Sequence, residues 1–298
     1  MPLGVLNDIR KIYAGLNAGD VRDSASRELR IGLLATSEDV FREMEDFLVS
    51  AHPDPETRAR ALQMTARLAG PEKDFDVLLC EPGIGLPRNG YLFDPVGSDA
   101  GGGDIELIDA IVAENQPIEL ALANAFPVFR RAVAHRIISR VSRENAMLAL
   151  VTALPNVLPS FIELPWAVGE FATDTAFLTM NQIRMALMLA AAHGRPVGYR
   201  EQKVQIAGIV AGAFGWRAIA RELVGKIPLG GGLIPKAAVA FAGTYVVGLS
   251  LDKLNRTGLR LSRQERRDAY LDALVKGNEA VRELAPELLQ TKGTTAGR

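Results

Sequence analysis

The sequence is poor in the residues that build covalent or metal-held frameworks. Cys80 is the single cysteine among 298 residues, so the chain can form neither an intrachain disulfide nor a cysteine-rich metal site. Its three histidines, His52, His135 and His193, are far apart in sequence. None has a second histidine or cysteine at metal-ligand spacing. The sequence therefore predicts no metal ion and no other cofactor.

The signatures of common catalytic sites are also missing. The chain has no Gly-x-Ser-x-Gly elbow and no Gly-Lys-Ser/Thr phosphate loop. Residues 1–19 place charged residues among apolar ones and contain no continuous apolar run, so we predict no secretory signal. The net charge of −1 and the lack of an interleaved aromatic platform argue against nucleic acid as a partner. We expect no enzymatic activity.

Charge patterning divides the chain into parts of different character. Charged residues are dense up to Glu144 and again after Leu251, and they are sparse between Asn145 and Gln182. The predicted fold class is α+β, with a small degenerate P-loop-like α/β domain followed by an all-α hydrophobic domain. The predicted segments are an amphipathic helix (1–25), the α/β domain (26–116), the helical domain (117–260), charged C-terminal helices (261–290) and a disordered tail (291–298).

The α/β prediction depends on short apolar runs that alternate with helical patterns. Arg30–Ala35 and Phe75–Cys80 are predicted strands, and Tyr91–Phe93 is a third candidate. Thr36 and Ser37 follow the first strand as possible helix N-caps. A compact α/β layer is the natural packing of these segments.

Two strand ends carry weak features of a nucleotide site. The first strand offers Gly32 and Thr36, but no lysine follows until Lys73. The second strand ends in Glu81-Pro82-Gly83, which resembles the Asp-x-x-Gly corner of GTPases. A Pro-Gly turn after a strand also occurs for purely steric reasons. The candidate relics of a nucleotide site are Gly32, Thr36, Glu81 and Gly83.

A basic amphipathic helix follows between Phe126 and Glu144. Its apolar stripe has helical spacing and consists of Phe126, Phe129, Val133, Ile137 and Val141. Its predicted basic surface consists of Arg130, Arg131, Arg136, Arg140 and Arg143. Such a helix could lie on an anionic membrane, or it could pack on its own protein with a solvated basic face.

The segment from Ala146 to Leu251 holds long apolar runs. Trp166–Ala192 is long enough to span a bilayer, but acidic, amide and basic residues form one stripe along it. We expect Glu170 and Asp174 to meet Arg217 or Arg221. The predicted polar seam comprises Glu170, Asp174, Asn181, Arg184, Arg217 and Arg221. Two interpretations of this polar seam are open. Its buried pairs could fix the register of the helices, or the seam could form an ion or proton pathway.

Two further features concern how the helices pack and where the last one begins. Gly208 and Gly212 form a G-x-x-x-G step, which lets helix backbones approach closely. After the apolar region, Ser262 is a predicted N-cap and Glu265 occupies the capping-box position of a charged helix.

Four features of the sequence resemble those of a known family. The arginine-rich helix, the Ala153–Pro159 break, the Asp174–Asn181 helix and the glycine-rich Ile227–Lys236 loop resemble the YcjF-type helical domain of unknown function, over roughly Phe126–Arg256. The resemblance implies membrane association and a preceding Era-like or dynamin-like GTPase domain. In this chain that domain would be degenerate, because the phosphate-loop lysine and the Asn-Lys-x-Asp motif are missing.

The leading functional hypothesis is a non-catalytic scaffold or adaptor that associates with a membrane or forms oligomers. Its expected location is the cytoplasm, at the membrane, and its expected partners are a membrane, another protein or further copies of itself. One alternative is a GTPase or other NTPase with an unconventional phosphate loop. The other is a soluble, self-assembling helical protein.

Overall fold

The computed structural model describes residues 18–49, 54–68, 70, 74–85, 87, 90–94, 103–151, 174–224 and 233–295. Within helices it describes only the backbone of residues 103, 174–176, 211, 213–224, 233–234 and 284–295. The helix predicted over residues 1–25 is described from Ala18 onward, and residues 1–17 lie outside the described part. The proline-bounded break at 153–159 also lies outside it.

The described residues form ten α-helices and one four-stranded parallel sheet, which confirms the α+β class. The helices are α1 (Ala18–Ala25), α2 (Glu38–Val49), α3 (Pro55–Leu62), α4 (Gly103–Glu114), α5 (Glu119–Ala125), α6 (Arg130–Val151), α7 (Asp174–Ala192), α8 (Tyr199–Val224), α9 (Leu233–Thr257) and α10 (Arg263–Thr295). The strands are β1 (Ile31–Leu34), β2 (Thr65–Leu68), β3 (Val77–Cys80) and β4 (Gly90–Leu92). Two 3₁₀ turns, Gln116–Ile118 and Pro127–Phe129, precede α5 and α6.

The chain divides into two compact units. The α/β unit comprises the described residues within 19–135 and 190–196, and the helical unit comprises those within 136–189 and 197–298. The sequence places this boundary near residue 116 instead. The observed boundary lies later because the turn Pro127–Phe129 packs against α2, α4 and α5, so the buried Phe129 contributes to the core of the α/β unit.

The sheet has the order β2-β1-β3-β4 with every neighbouring pair parallel. β1 and β3 are buried at all four positions, as expected for central strands covered on both faces. Three strands were predicted within a few residues of their observed positions. The unpredicted strand, β2, is a four-residue edge strand that is buried only at Leu68, so its sequence carries little apolar signal.

Local hydrogen bonds explain where several helices begin and end. The Ser37 hydroxyl accepts the Val40 amide at 3.2 Å, which caps α2 as predicted. At the end of α7, Gly194 adopts the left-handed φ of 66° that favours glycine. The amides of Gly194 and Arg195 then donate to the carbonyls of Ala191 and Ala190, both at 2.9 Å.

The helical unit contains the longest helices. α9 and α10 pack along each other closely, because Gly277 leaves room for the α9 backbone: a Cβ there would lie 3.0 Å from the Ala238 carbonyl oxygen. The predicted capping box of α10 is confirmed by two reciprocal bonds. The Ser262 amide donates to Glu265 Oε2 at 2.7 Å, and the Glu265 amide donates to the Ser262 hydroxyl at 3.2 Å.

The C-terminal region is one helix rather than a pair. α10 continues to Thr295, so residues 291–295, which the sequence assigns to a disordered tail, are helical. Residues 296–298 lie outside the described part.

One helix in the described part of the chain is long and apolar enough to cross a membrane. It is Pro235–Thr257, within α9, and more than half of its most apolar stretch is buried inside the protein. Buried core helices of soluble proteins share this length and composition.

Candidate functional site

Two of the predicted relics, Thr36 and Glu81, meet at the carboxyl edge of the sheet. One oxygen of the Glu81 carboxylate, Oε2, accepts hydrogen bonds from both the amide and the hydroxyl of Thr36, each at 2.6 Å. The Glu81 amide donates to the Leu34 carbonyl at 2.9 Å, which fixes the backbone of Glu81 beside the end of β1. The structure therefore joins the ends of β1 and β3 through these two side chains.

This position is where open α/β sheets ordinarily bind ligands. The chain leaves β1 toward β2 on one side and returns through β3 on the other, so the strand order reverses between β1 and β3. Ligands of such sheets lie outside the carboxyl ends of the strands, at the point of reversal. Thr36 and Glu81 occupy that point.

The electrostatics of the edge favour a charged carboxylate. The hydrogen bonds from the Thr36 hydroxyl and amide hold the pKa of the Glu81 carboxyl below its ordinary value. Glu81 is therefore ionised at neutral pH. It supplies, from within the chain, the negative charge that a bound phosphate would otherwise bring to the Thr36 amide.

The residues at this edge do not fit a nucleotide and its magnesium ion. A phosphate oxygen at the Thr36 amide would have to displace the Glu81 carboxylate, and the two anions would repel each other. Among the described residues, no three His, Cys, Asp or Glu side chains are grouped so that they could hold a metal ion.

The two candidate glycines have different roles. Gly32 lies within β1, where a Cβ would come 2.4 Å from Leu78 Cδ2 and 2.6 Å from Leu68 Cδ1. It serves core packing, and its prediction as a phosphate-loop relic gains no support from the contacts. Gly83 has a φ of 93°, so the turn after β3 needs a glycine for its backbone conformation.

Two residues of the predicted polar seam, Asn181 and Arg184, have described side chains, and both contact residues of α6. Arg184 Nη1 lies 3.5 Å from Glu144 Oε2, and each side chain is 31% exposed. Asn181 Nδ2 donates to Asn145 Oδ1 at 2.7 Å. The expected meeting of Glu170 and Asp174 with Arg217 or Arg221 lies outside the described side chains.

Sequence reasoning missed most of the polar cluster around Asn181. Asn145, Gln182 and Thr244 are buried and hydrogen-bonded to one another or to Asn181, and they come from α6, α7 and α9. A weak signal was present, because each of these polar residues lies in or beside an otherwise apolar stretch. Their convergence depends on how the helices pack.

The apolar stripe of α6 and the turn before it is confirmed, whereas the basic surface is reduced. All five stripe residues, Phe126, Phe129, Val133, Ile137 and Val141, are at most 1% exposed. Of the five arginines, Arg131 and Arg143 are exposed, and Arg136 and Arg140 are half-buried.

Arg130 departs furthest from the predicted basic surface. Its Nε donates to the Ala123 carbonyl at 3.2 Å, and burial lowers the pKa of its guanidinium. The side chain turns inward because the last carbonyls of α5 need hydrogen-bond donors. Arg143, in contrast, lies 3.6 Å from Glu283 in an exposed ion pair.

Comparisons with known proteins give no match: no protein-family model, no curated protein and no solved structure matches the chain. The likeness to the YcjF-type helical domain therefore stays a prediction.

Proposed function

We propose that this chain is a non-catalytic scaffold whose α/β unit does not bind a nucleotide and whose helical unit attaches it to a membrane. The observation that carries the first half is the double hydrogen bond from Thr36 to the Glu81 carboxylate. The Glu81 carboxylate accepts the hydrogen bond of the Thr36 amide, which a bound phosphate would otherwise accept.

The sequence around the edge supports the same conclusion. A phosphate loop uses a lysine to bind the β- and γ-phosphates, and the only lysine between Ile31 and Glu81 is Lys73. Without a lysine in the loop after β1, the edge presents the Glu81 carboxylate at the position where a phosphate loop binds its phosphate. In this proposal the α/β unit is a degenerate P-loop-like domain that retains the sheet and has lost the ligand.

The membrane half of the proposal depends on α9 and on the resemblance to the YcjF-type domain. α9 contains the one described stretch that is long and apolar enough to cross a bilayer. The reduced basic surface argues against α6 as the principal anchor, because only Arg131 and Arg143 are exposed along it. The apolar helices are then the attachment, and the location is the cytoplasmic side of a membrane.

Nucleotide binding is tested by thermal unfolding of the purified chain with GTP or ATP, with and without Mg²⁺. The wild type is expected to show no shift in Tm. Glu81→Gln removes the internal negative charge, and Asp39→Asn, in the first turn of α2, is the matched control that removes a neighbouring charge. A magnesium-dependent rise in the wild-type Tm would overturn the non-catalytic proposal and favour the NTPase alternative.

Membrane attachment is tested by fractionation of cells that make the native chain. Membranes are washed with high salt and then with alkaline carbonate, and the chain is followed by blotting. Retention through both washes is the expected result. Release by salt alone would assign attachment to surface charges, and recovery in the soluble fraction would refute the membrane half of the proposal.

Self-association without a membrane is a second candidate, favoured by an open face on α8. Val204 is 57% exposed, and Ala207 and Gly208 are exposed beside it. Apart from neighbouring residues of α8 itself, no atom among the described residues lies within 4 Å of a Cβ built at Gly208 or Gly212. The predicted close helix contact at this G-x-x-x-G step is therefore not made within the described chain, and a second copy could supply it.

Light scattering without detergent tests this second candidate. A discrete oligomer that Val204→Glu dissociates would support it. Lys203→Glu is the matched control, because it places the same carboxylate on the neighbouring exposed position. A monodisperse monomer in the wild type would refute it.

A further inference from the structure

The helical unit buries a cluster of uncharged polar side chains, which we call the amide cluster. It combines residues of α6, α7 and α9, and each is at most 3% exposed. Buried polar groups of this kind are expensive unless each finds a hydrogen-bond partner. The members are Ser142 and Asn145 from α6, Asn181 and Gln182 from α7, and Thr244 from α9.

Hydrogen bonds link four of these side chains into one network. Asn145 Nδ2 donates to the Thr244 hydroxyl at 2.8 Å and to the Leu178 carbonyl at 3.3 Å. Asn181 Nδ2 donates to Asn145 Oδ1 at 2.7 Å, and Gln182 Nε2 donates to the Thr244 hydroxyl at 3.2 Å. The network ties α6, α7 and α9 together.

The orientation of two amides is fixed by the backbone. The Leu178 carbonyl can only accept, so the Asn145 nitrogen must face it. The Asn145 oxygen then faces Asn181, whose nitrogen must donate to it. Asn181 Oδ1 is consequently directed away from the bond with Asn145. Reversing either amide would place two acceptor oxygens opposite each other.

Three oxygen atoms of the cluster have no hydrogen-bond partner among the described residues: Ser142 Oγ, Asn181 Oδ1 and Gln182 Oε1. Each such group destabilises the folded chain if it stays unsatisfied. In an amide the oxygen lies about 2.2 Å from the nitrogen. The unbonded oxygens of Asn181 and Gln182 therefore each lie about 2.2 Å from a nitrogen atom that belongs to the network.

The hydrogen-bonding capacity of these atoms determines which bound molecule or ion could be their partner. Asn181 Oδ1 needs a donor, whereas the Gln182 amide leaves either an acceptor or a donor free, depending on its orientation about Thr244. A water molecule can donate and accept, so it fits both orientations. A hard cation binds oxygen atoms and would require one orientation of the Gln182 amide. The nearest carboxylate in sequence, Glu144, pairs with Arg184.

We propose that the amide cluster is a binding site for an ordered internal water molecule. The water donates to Asn181 Oδ1 and bonds the free end of the Gln182 amide. Buried waters in polar sites make about two to four such bonds. The water completes the network that joins α6, α7 and α9.

Water ¹⁷O magnetic relaxation dispersion of the full chain tests the proposal, because it counts waters with long residence times. Gln182→Met keeps the side-chain length and removes both polar atoms, so we expect the loss of one long-lived water. Ser250→Ala is the matched control, since the Ser250 hydroxyl is already bonded to the Val246 carbonyl at 2.8 Å. Equal dispersion amplitudes in the wild type and in Gln182→Met would overturn the proposal.

A crystal structure of the wild type gives a second test that needs no variant. Density within about 2.7–3.2 Å of Asn181 Oδ1 and of the Gln182 amide would support the water site. The same crystals soaked in rubidium chloride distinguish the guest. An anomalous rubidium peak at this position would overturn the assignment to water in favour of a monovalent cation.

Discussion

Replacing Gly32 with alanine tests whether this glycine serves the packing of the sheet. The added Cβ would lie 2.4 Å from Leu78 Cδ2, 2.6 Å from Leu68 Cδ1 and 3.2 Å from Phe75 Cγ. Carbon atoms in contact prefer separations of about 3.5–4.0 Å. The new methyl group is therefore too close to both leucine side chains by about 1 Å.

The surrounding structure has little freedom to relieve these contacts. β1 is hydrogen-bonded to β2 on one side and to β3 on the other, and Leu78 is fully buried. Overpacking a core of this kind typically costs about 1–3 kcal/mol. The smaller conformational freedom of alanine in the unfolded chain offsets about 0.4–1 kcal/mol. We expect Gly32→Ala to lower the free energy of unfolding of the α/β unit by roughly 1–2 kcal/mol.

Urea denaturation followed by circular dichroism measures this loss. Gly85→Ala is the matched control, because Gly85 is exposed and a Cβ there meets no described atom within 4 Å. The control should change the free energy of unfolding by no more than about 0.5 kcal/mol. Equal stability of the two variants would refute the packing role of Gly32.

Three further substitutions test local features of the helices. Ser262→Ala removes the N-cap of α10 and should lower the free energy of unfolding by about 1 kcal/mol, measured by thermal denaturation. Hydrogen bonds from Lys253 and then from Ser262 lower the pKa of Glu265 to about 2, so its ionised form stabilises the fold above the unfolded pKa. The stability difference between wild type and Glu265→Gln should therefore be present above about pH 4.5 and shrink as the pH falls toward 2, in a pH series of denaturation curves. Gly194→Ala forces a side chain into a left-handed conformation and should cost about 1–2 kcal/mol in the same assay, and an unchanged Tm would refute that role.

The local features of the α/β unit could be predicted because they depend on neighbouring residues. The apolar runs around β1 and β3 and the Ser37 cap follow from burial and from hydrogen bonds within a few residues. The edge strand β2 could not be predicted in the same way. Its position depends on pairing with β1 across more than 30 residues, and only one of its four residues, Leu68, is buried.

The candidate site shows the same division. The sequence singled out Thr36 and Glu81 separately, each at the end of a predicted strand. The parallel pairing of β1 with β3 brings them together, and their hydrogen bonds turn a possible phosphate-binding edge into one filled by a carboxylate. Arg130 is the converse case. Its spacing predicted a position on a basic surface, but its side chain turns inward and donates a hydrogen bond to the Ala123 carbonyl.

The sequence by itself determined the α+β class, the buried stripe of α6 and the capping box of α10, because periodicity and short-range hydrogen bonds decide these features. Only the tertiary structure decided the partners of the buried polar groups. Asn145, Asn181 and Thr244 are up to 99 residues apart, and they meet because apolar faces of three helices pack together. Because these amide and hydroxyl groups are buried away from solvent, they form hydrogen bonds with one another.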